Sequence, residues 1–260
     1  MKRALVTQTT DSFIFGTKLL LKSFLHFNDF EGDIIVMYGP GQLSNESKNI
    51  ISEFDVIFHE CSTPDVQFRG NRKWAINAAS RFDIFKLPYD RVLYYDSDIL
   101  IMDDVSEFIN NTSDFVACAY THKMTREQFK AGDNMTDCNA HLFNAGVLNI
   151  SKKHLTDDTY NRLIEISTSQ SWPGNQGILN KHLSPNCTLM SNVYNLTTSE
   201  ATETALQRCK VLHFVGHNKI WDNGSYVSKF DRGIMLTIGF NNCTYILRKY
   251  RKYCKLLGLE

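Results

Sequence analysis

Two periodicities alternate along the first hundred residues. Ala4 to Thr9, Asp33 to Tyr38, Val56 to His59 and Arg91 to Tyr95 are short runs with few polar interruptions, rich in Val, Ile, Leu and Tyr. Strands buried on both faces carry this pattern. Between them the apolar positions recur at helical spacing. Gly16 to Phe27 places Leu20, Phe24 and Phe27 on one face, Ser44 caps a helix to about Phe54, and Lys73 to Leu87 reads as a longer helix stopped by Pro88. Gly39-Pro40-Gly41 is a turn that ends the second strand. Strands alternating with helices predict an α/β fold with a mostly parallel sheet flanked by helices. Such sheets take ligands at the carboxyl ends of their strands. Thr9, Thr10 and Asp11, after the first strand, therefore share a crevice with Asp96 and Asp98, after the fourth.

Beyond Asp98 the pattern loosens. Ile99 to Ile101, Phe115 to Ala119, Phe143 to Ile150 and Val211 to Val215 read as further strands; Asp157 to Ser167 reads as a helix and Gly174 to His182 as the start of another. Thr121 to Asn139 is polar and irregular, the character of a loop or lid on the acceptor side. Asp103-Asp104 reads as the cap of a short helix from Val105 to Ile109. In the tail, Thr244 to Leu257, the residues Ile246, Tyr250, Tyr253 and Leu257 form an apolar stripe beside Arg248, Lys249, Arg251, Lys252 and Lys255. That stripe predicts either a helix packed on the domain with its cations in water, or one resting on an anionic membrane surface.

Composition narrows the class without naming it. A chain of 260 residues, 43% hydrophobic and 22% charged, has the proportions of one soluble globular domain. Lys+Arg and Asp+Glu balance at 28 each, so no global field draws in nucleic acid. The seven cysteines are scattered, with no CxxC pair, and are expected to be reduced, buried thiols. Met1 to Thr7 reads as the start of the first strand and not as a leader, and no apolar run approaches the ~20 residues of a membrane span. The Asn-x-Ser/Thr tripeptides then read as a by-product of an Asn-rich chain, and the expected location is cytoplasmic.

Asp96-Ser97-Asp98 is the strongest local signal. Two carboxylates flanking a small residue, where the chain turns out of a buried strand, can converge on a divalent cation. Such an ion acts as a Lewis acid on phosphoryl oxygens. Alone, Asp-x-Asp arises often in turns; its place after Val92-Leu93-Tyr94-Tyr95 gives it weight.

The segment Arg91 to Leu100 resembles the strand, Asp-x-Asp, apolar signature of family 8 glycosyltransferases, the glycogenin-like, retaining group with a GT-A fold. Four more blocks match in order: Ala4 to Asp11, Phe143-Asn144-Ala145-Gly146-Val147, Gly174 to Asn180, and His213-Phe214-Val215-Gly216-His217-Asn218-Lys219-Ile220-Trp221. The resemblance implies a UDP-sugar donor, with residues 1–221 as the catalytic domain and 222–260 as an extension packed on it. It implies Asp96, Asp98 and His213 as ligands of Mn²⁺, or of Mg²⁺, a mixed carboxylate and imidazole set that suits Mn²⁺ better. Gly216 and Lys219 would hold the diphosphate, Arg81 would stand near sugar and phosphates with Arg72 as a weaker candidate, and Ser97 lies between the two aspartates. Gln8, Thr10 and Asp11 would meet uridine, and Asn144 and Ala145 would face the donor sugar.

Two departures qualify this. The family's Asp-Gln-x-x-x-Asn block begins here with Asn175, followed by Gln176, so the sugar site lacks one carboxylate. Tyr194-Asn195-Leu196 is present, but Thr197 to Ala205 holds no tyrosine, so self-glucosylation of the glycogenin kind is not implied. The expected activity is transfer of a hexose, glucose or galactose, to a separate glycan, lipid-linked sugar or protein. A rival from another class is a silent sugar-nucleotide-binding protein, which Asn175 keeps open. A nucleotidyltransferase would need a glycine-rich loop where the chain has Gln8-Thr9-Thr10-Asp11.

Overall fold

The computed structural model describes residues 1–62, 78–120, 142–169, 174–216, 219–222 and 232–259, the last with backbone alone at 232–237 and 240. Among the described residues ten strands form two sheets: β1 Arg3–Gln8, β2 Asp33–Tyr38, β3 Val56–Glu60, β4 Arg91–Tyr95, β5 Ile99–Ile101, β6 Phe115–Ala119, β7 Phe143–Ser151, β8 Thr188–Met190, β9 Leu196–Thr197 and β10 Val211–His213. The larger sheet runs β3-β2-β1-β4-β7-β6-β8, and β5-β10-β9 make the smaller. Every pairing of the larger sheet is parallel except those of β7, which runs antiparallel to β4 and β6. This is the GT-A arrangement of a mostly parallel α/β sheet. The helices are α1 Ile14–Phe27, α2 Asn45–Ile51, α3 Ser106–Ile109, α4 Asp157–Ser169, α5 Asn175–Leu183, α6 Glu203–Arg208 and α7 Arg232–Leu256, the last broken at Gly239 (φ 79°).

Strand alternation feeds two cores. Ala4, Val6, Val92 and Tyr94 face the layer holding Leu163 and Ile166 of α4 and Ile178 and Leu179 of α5. Leu5, Leu93 and Tyr95 point the other way, onto Leu20 and Phe24 of α1 and Phe108 of α3. A third cluster joins the smaller sheet (Leu100, Leu196, Leu212) to Ile246, Leu247 and Leu257 of the tail. The apolar stripe of the tail is therefore covered by the protein itself, with Tyr250 and Tyr253 partly buried against the same cluster. In this structure the stripe packs on the smaller sheet. Among the described residues no helix is long and apolar enough to cross a membrane.

Local chemistry explains several boundaries. Ser44 accepts from the Ser47 amide at 3.2 Å and starts α2, as its position predicts. Asp104 accepts from Ser106 N and Oγ at 2.9 and 2.8 Å and so opens α3. The expected helix from Lys73 to Leu87 is corrected over its last part: 78–80 are helical, but Arg81–Lys86 is a 3₁₀ helix, and 73–77 lie outside the described residues. The turn is tight because Leu87 N closes on Ile84 O at 3.2 Å ahead of Pro88, while Asp83 is pulled back to Ser62 N at 2.6 Å. The last strand ends at His213 and not at Val215, since Phe214 N turns to Asp98 O at 2.8 Å. Cys61, Cys118, Cys187, Cys209, Cys243 and Cys254 are free and buried, as expected; Cys138 is outside the described residues.

Candidate active site

Asp96-Ser97-Asp98 is the joint between the two sheets. The chain leaves β4 at Tyr95 and enters β5 at Ile99, and three pairings decide what surrounds it. Tyr95 opposes Val147, and Asp96 N donates to Gly146 O at 2.8 Å, so β7 backs onto Asp96. Ile99 opposes His213, which sets the imidazole beside Asp98. Thr197 pairs with His213 in parallel, which brings Asn195 behind the ring.

Each aspartate uses its two oxygens differently. Arg81 Nη2 and Tyr94 Oη donate to Asp96 Oδ1, the latter at 2.6 Å. Lys219 Nζ donates to Asp98 Oδ2 at 2.6 Å and to Phe214 O at 2.6 Å. The remaining oxygens turn to the histidine: His213 Nε2 lies 3.7 Å from Asp96 Oδ2 and 3.2 Å from Asp98 Oδ1. One donor atom from each of the three residues thus falls within 4.8 Å of the others. Two monodentate carboxylates and an imidazole fit a divalent ion of the Mn²⁺ or Mg²⁺ class.

The electrostatics hold the donors in ligand form. Burial by itself would push the Asp98 carboxyl up; facing His213 and Lys219 outweigh it and keep it well below the usual carboxylate range. Burial pushes the Tyr94 phenol well above its ordinary value, with Asp96 adding to it, so Tyr94 remains a donor to Asp96. Burial would lower Arg81, but Asp96, Tyr94 and Asp98 together more than restore it and the guanidinium stays charged.

A second group, His59, Cys61 and Asp83, also lies within 4.8 Å, but its chemistry is closed. Ser62 N and Oγ each donate to Asp83 at 2.6 Å and Lys86 Nζ sits 3.0 Å away, so a cation already balances the carboxylate. Burial and Asp83 push the Cys61 thiol up to about 12, where it is a poor ligand.

In front of the Asp-Ser-Asp joint lies a cleft of about 280 Å³ lined by Gln8, Thr9, Thr10, Phe13, Ala78, Arg81, Tyr94, Asp96, Ser97, Asp98 and Asn175. It sits at the carboxyl ends of β1 and β4, where strand topology places it. Asn175, first residue of α5, donates from Nδ2 to Ala78 O at 3.0 Å, a bond a carboxylate there would not make. Gln176 accepts from Ala145 N at 3.1 Å. Asn144 lies behind the aspartates, its Oδ1 accepting from Gly146 N at 2.8 Å and Asn195 Nδ2 at 3.0 Å. Asp11 turns its carboxylate to Ser44 N and Oγ, at 2.8 and 3.0 Å, at the start of α2. Gly216 holds φ at 99°, a conformation that favours glycine. Arg72 lies outside the described residues.

A family model described as glycosyl transferase family 8 matches residues 4–224. The chain belongs to glycosyl transferase family 8. Solved structures of similar fold include the galactosyltransferase LgtC in complex with donor and acceptor sugar analogs (TM-score 0.66, 17% identity, 98% of this chain and 95% of that one). The bifunctional glycosyltransferase WbbM is similar over 96% of this chain but 51% of its own length (TM-score 0.65, 17% identity). GlyE of Streptococcus pneumoniae TIGR4 is similar over 99% of this chain and 64% of its own (TM-score 0.61, 19% identity). At these identities the structures establish the fold. No curated protein sequence matches the chain.

Three residues of this family 8 site carry no role in the sequence reading. Tyr94 reads as one more apolar strand residue, yet its hydroxyl holds Asp96. Asn195 reads as part of a block lacking its tyrosine, yet it binds His213. Gly146 reads as a block position, and only the structure shows that a Cβ there would lie 2.4 Å from His213 Cε1. Trp221 packs against Phe214 and Phe15, at centroid distances of 5.9 and 6.0 Å.

Proposed function

We propose that the protein transfers a hexose, galactose or glucose, from a UDP-sugar to a separate glycan, lipid-linked or protein acceptor, with retention of anomeric configuration and dependence on Mn²⁺, Mg²⁺ being the alternative ion. The observation that carries this is the convergence of Asp96 Oδ2, Asp98 Oδ1 and His213 Nε2 beside a cleft at the strand ends, with Arg81 and Lys219 alongside. Family membership supports the transferase, and the LgtC complex with sugar analogs favours galactose among the donors.

Asp96, Asp98 and His213 would hold the ion, which when bound supplies Lewis acidity at the departing diphosphate. Arg81 and Lys219 supply further positive charge for the phosphates, Arg81 as a fork and Lys219 as a point charge. Gln8, Thr9 and Thr10 at the end of β1 form the wall for the nucleoside. Ser97 lies in the cleft wall between the ligands, and Asn175 lines the same cleft. Both Asn175 and Gln176 are amides, far poorer nucleophiles than carboxylates, and among the described residues the carboxylates lining the cleft are Asp96 and Asp98, both turned to His213. Retention is then best served by attack on the face the diphosphate leaves, for which the chain need only position donor and acceptor.

Calorimetry with UDP tests the metal role. Binding is expected to be strong with Mn²⁺ and weak with chelator, and Asp98→Asn should reproduce the chelator result; equal affinity in all three conditions overturns it. A panel of UDP-sugars with NMR of the earliest product reads donor and stereochemistry together, and an inverted anomeric proton overturns retention. Metal-dependent binding with no turnover of any donor would support the silent-binder alternative that Asn175 raises.

A further inference from the structure

A chain of hydrogen bonds behind the metal-facing triad has its direction fixed at one end. Gly146 N is a backbone donor and cannot accept, so the Asn144 atom 2.8 Å from it is the amide oxygen. Asn195 lies 3.0 Å from that same oxygen and must offer its NH₂ group to it. This turns Asn195 Oδ1 to His213, 3.0 Å from Nδ1. An amide oxygen only accepts, so Nδ1 carries a proton. The amide oxygen and nitrogen of an asparagine are alike in shape, but here one backbone N–H settles both side chains and the ring. That leaves Nε2 as the ring nitrogen turned to Asp98 Oδ1 and Asp96 Oδ2. All three links are buried: Asn144 is 8%, Asn195 2% and His213 4% exposed.

We propose that Asn195 is a positioning residue that fixes the tautomer and plane of His213, so that Nε2 is the nitrogen presented to the divalent ion. This rests on the reading of Asp96, Asp98 and His213 as a metal site. It adds a residue that touches neither ion nor donor. A ligating histidine is commonly held through its other ring nitrogen, and loss of that partner weakens metal binding about 10- to 100-fold. Asn195 is placed for it by backbone, between the 3₁₀ helix Asn192–Tyr194 and β9, with its N donating to Asn192 O at 2.9 Å. Loss of its oxygen frees the proton on Nδ1 to move to Nε2, where it competes with the ion.

The test measures Mn²⁺ affinity by calorimetry in saturating UDP for wild type, Asn195→Leu and Asn195→Asp. Asn195→Leu keeps bulk and removes the acceptor, and should weaken Mn²⁺ by about 10- to 100-fold. Asn195→Asp keeps an acceptor for Nδ1–H but gives up the donor to Asn144 Oδ1, and should fall between wild type and Asn195→Leu, a partial rescue that a mere packing role does not predict. Unchanged affinity in Asn195→Leu overturns the proposal. Long-range ¹H–¹⁵N NMR of histidine-labelled wild type loaded with Cd²⁺ and UDP needs no variant. His213 should show a protonated Nδ1 and a cadmium-bound Nε2, and the reverse assignment overturns the proposal whatever the variants do. Failure of unsubstituted protein to bind Mn²⁺ would instead overturn the metal reading, and the inference with it, and is told apart because it needs no substitution.

Discussion

Gly146 has no room for a side chain. An added Cβ would stand 2.4 Å from His213 Cε1 and 2.8 Å from Asp96 Oδ2, two groups held by their own hydrogen bonds. Gly146→Ala should weaken Mn²⁺-dependent UDP binding at least tenfold by displacing the ring, while overpacking lowers stability by about 1–3 kcal/mol. Calorimetry and thermal melting read the two effects separately. Asp83 carries a different prediction. Burial would raise its carboxyl, but bonds from His59, Ser62 and Lys86 lower it to about 2, against an ordinary value of 3.8. Its folded value is depressed, so its contribution is complete above the unfolded value and is lost as pH falls toward 2. A shift of this size is on the order of 2 kcal/mol. In urea unfolding, the gap between wild type and Asp83→Asn should be widest near neutrality and should narrow by pH 3. At this scale the aspartates and His213 are legible because few residue types serve as metal ligands, whereas Gly146, Tyr94 and Asn195 act through distances that a single sequence does not encode.

Elements with a full period are legible and short ones are not. The buried runs of β1, β2 and β4 and the stripe of α1 appear where the hydrophobic pattern puts them. Thr188–Met190 and Leu196–Thr197 are too short to show alternation, and only pairing with β6 and β10 makes them strands. Six residues from Arg81 likewise do not separate a period of 3.0 from 3.6, so the 3₁₀ helix that carries Arg81 is hidden until Asp83 is seen bound to Ser62. In α7 periodicity gives the stripe but not what covers it. With Ile246, Leu247 and Leu257 buried, the outward cations Arg248, Arg251, Lys252 and Lys255 are the part of the helix a membrane could meet. Leu256 is the large apolar side chain exposed on this helix among the described residues, so adsorption is expected to be electrostatic in the main. Co-sedimentation with anionic vesicles should appear only at low salt, vanish in Arg251→Gln/Lys252→Gln, and be absent on neutral vesicles. Binding that survives high salt would mean that the stripe leaves its core.

At the scale of the molecule, the alternation of strands and helices gives the sheet and the end of it at which ligands bind, but not the second sheet. That depends on the register of β5 against β10, a contact between residues more than a hundred positions apart. Through it the three-stranded sheet carries His213 to the Asp-Ser-Asp joint, and the site exists only once both sheets have formed. The pairing of Asp96 with Arg81 and of Asp98 with Lys219 has a consequence for how ligands arrive. The imidazole aside, these two negative and two positive side chains cancel in the free site. A divalent cation alone would leave it two charges in excess, and a sugar nucleotide, with its two phosphate charges, would leave it two in deficit. Together they restore the balance in a place where water screens little. Ion and donor should therefore bind as a pair, each raising the other's affinity by the same factor, tenfold or more. Titrating Mn²⁺ with and without UDP-sugar, and UDP-sugar with and without Mn²⁺, measures that factor twice, and a Kd for Mn²⁺ indifferent to the nucleotide would show that Arg81 and Lys219 do not set the charge of the site.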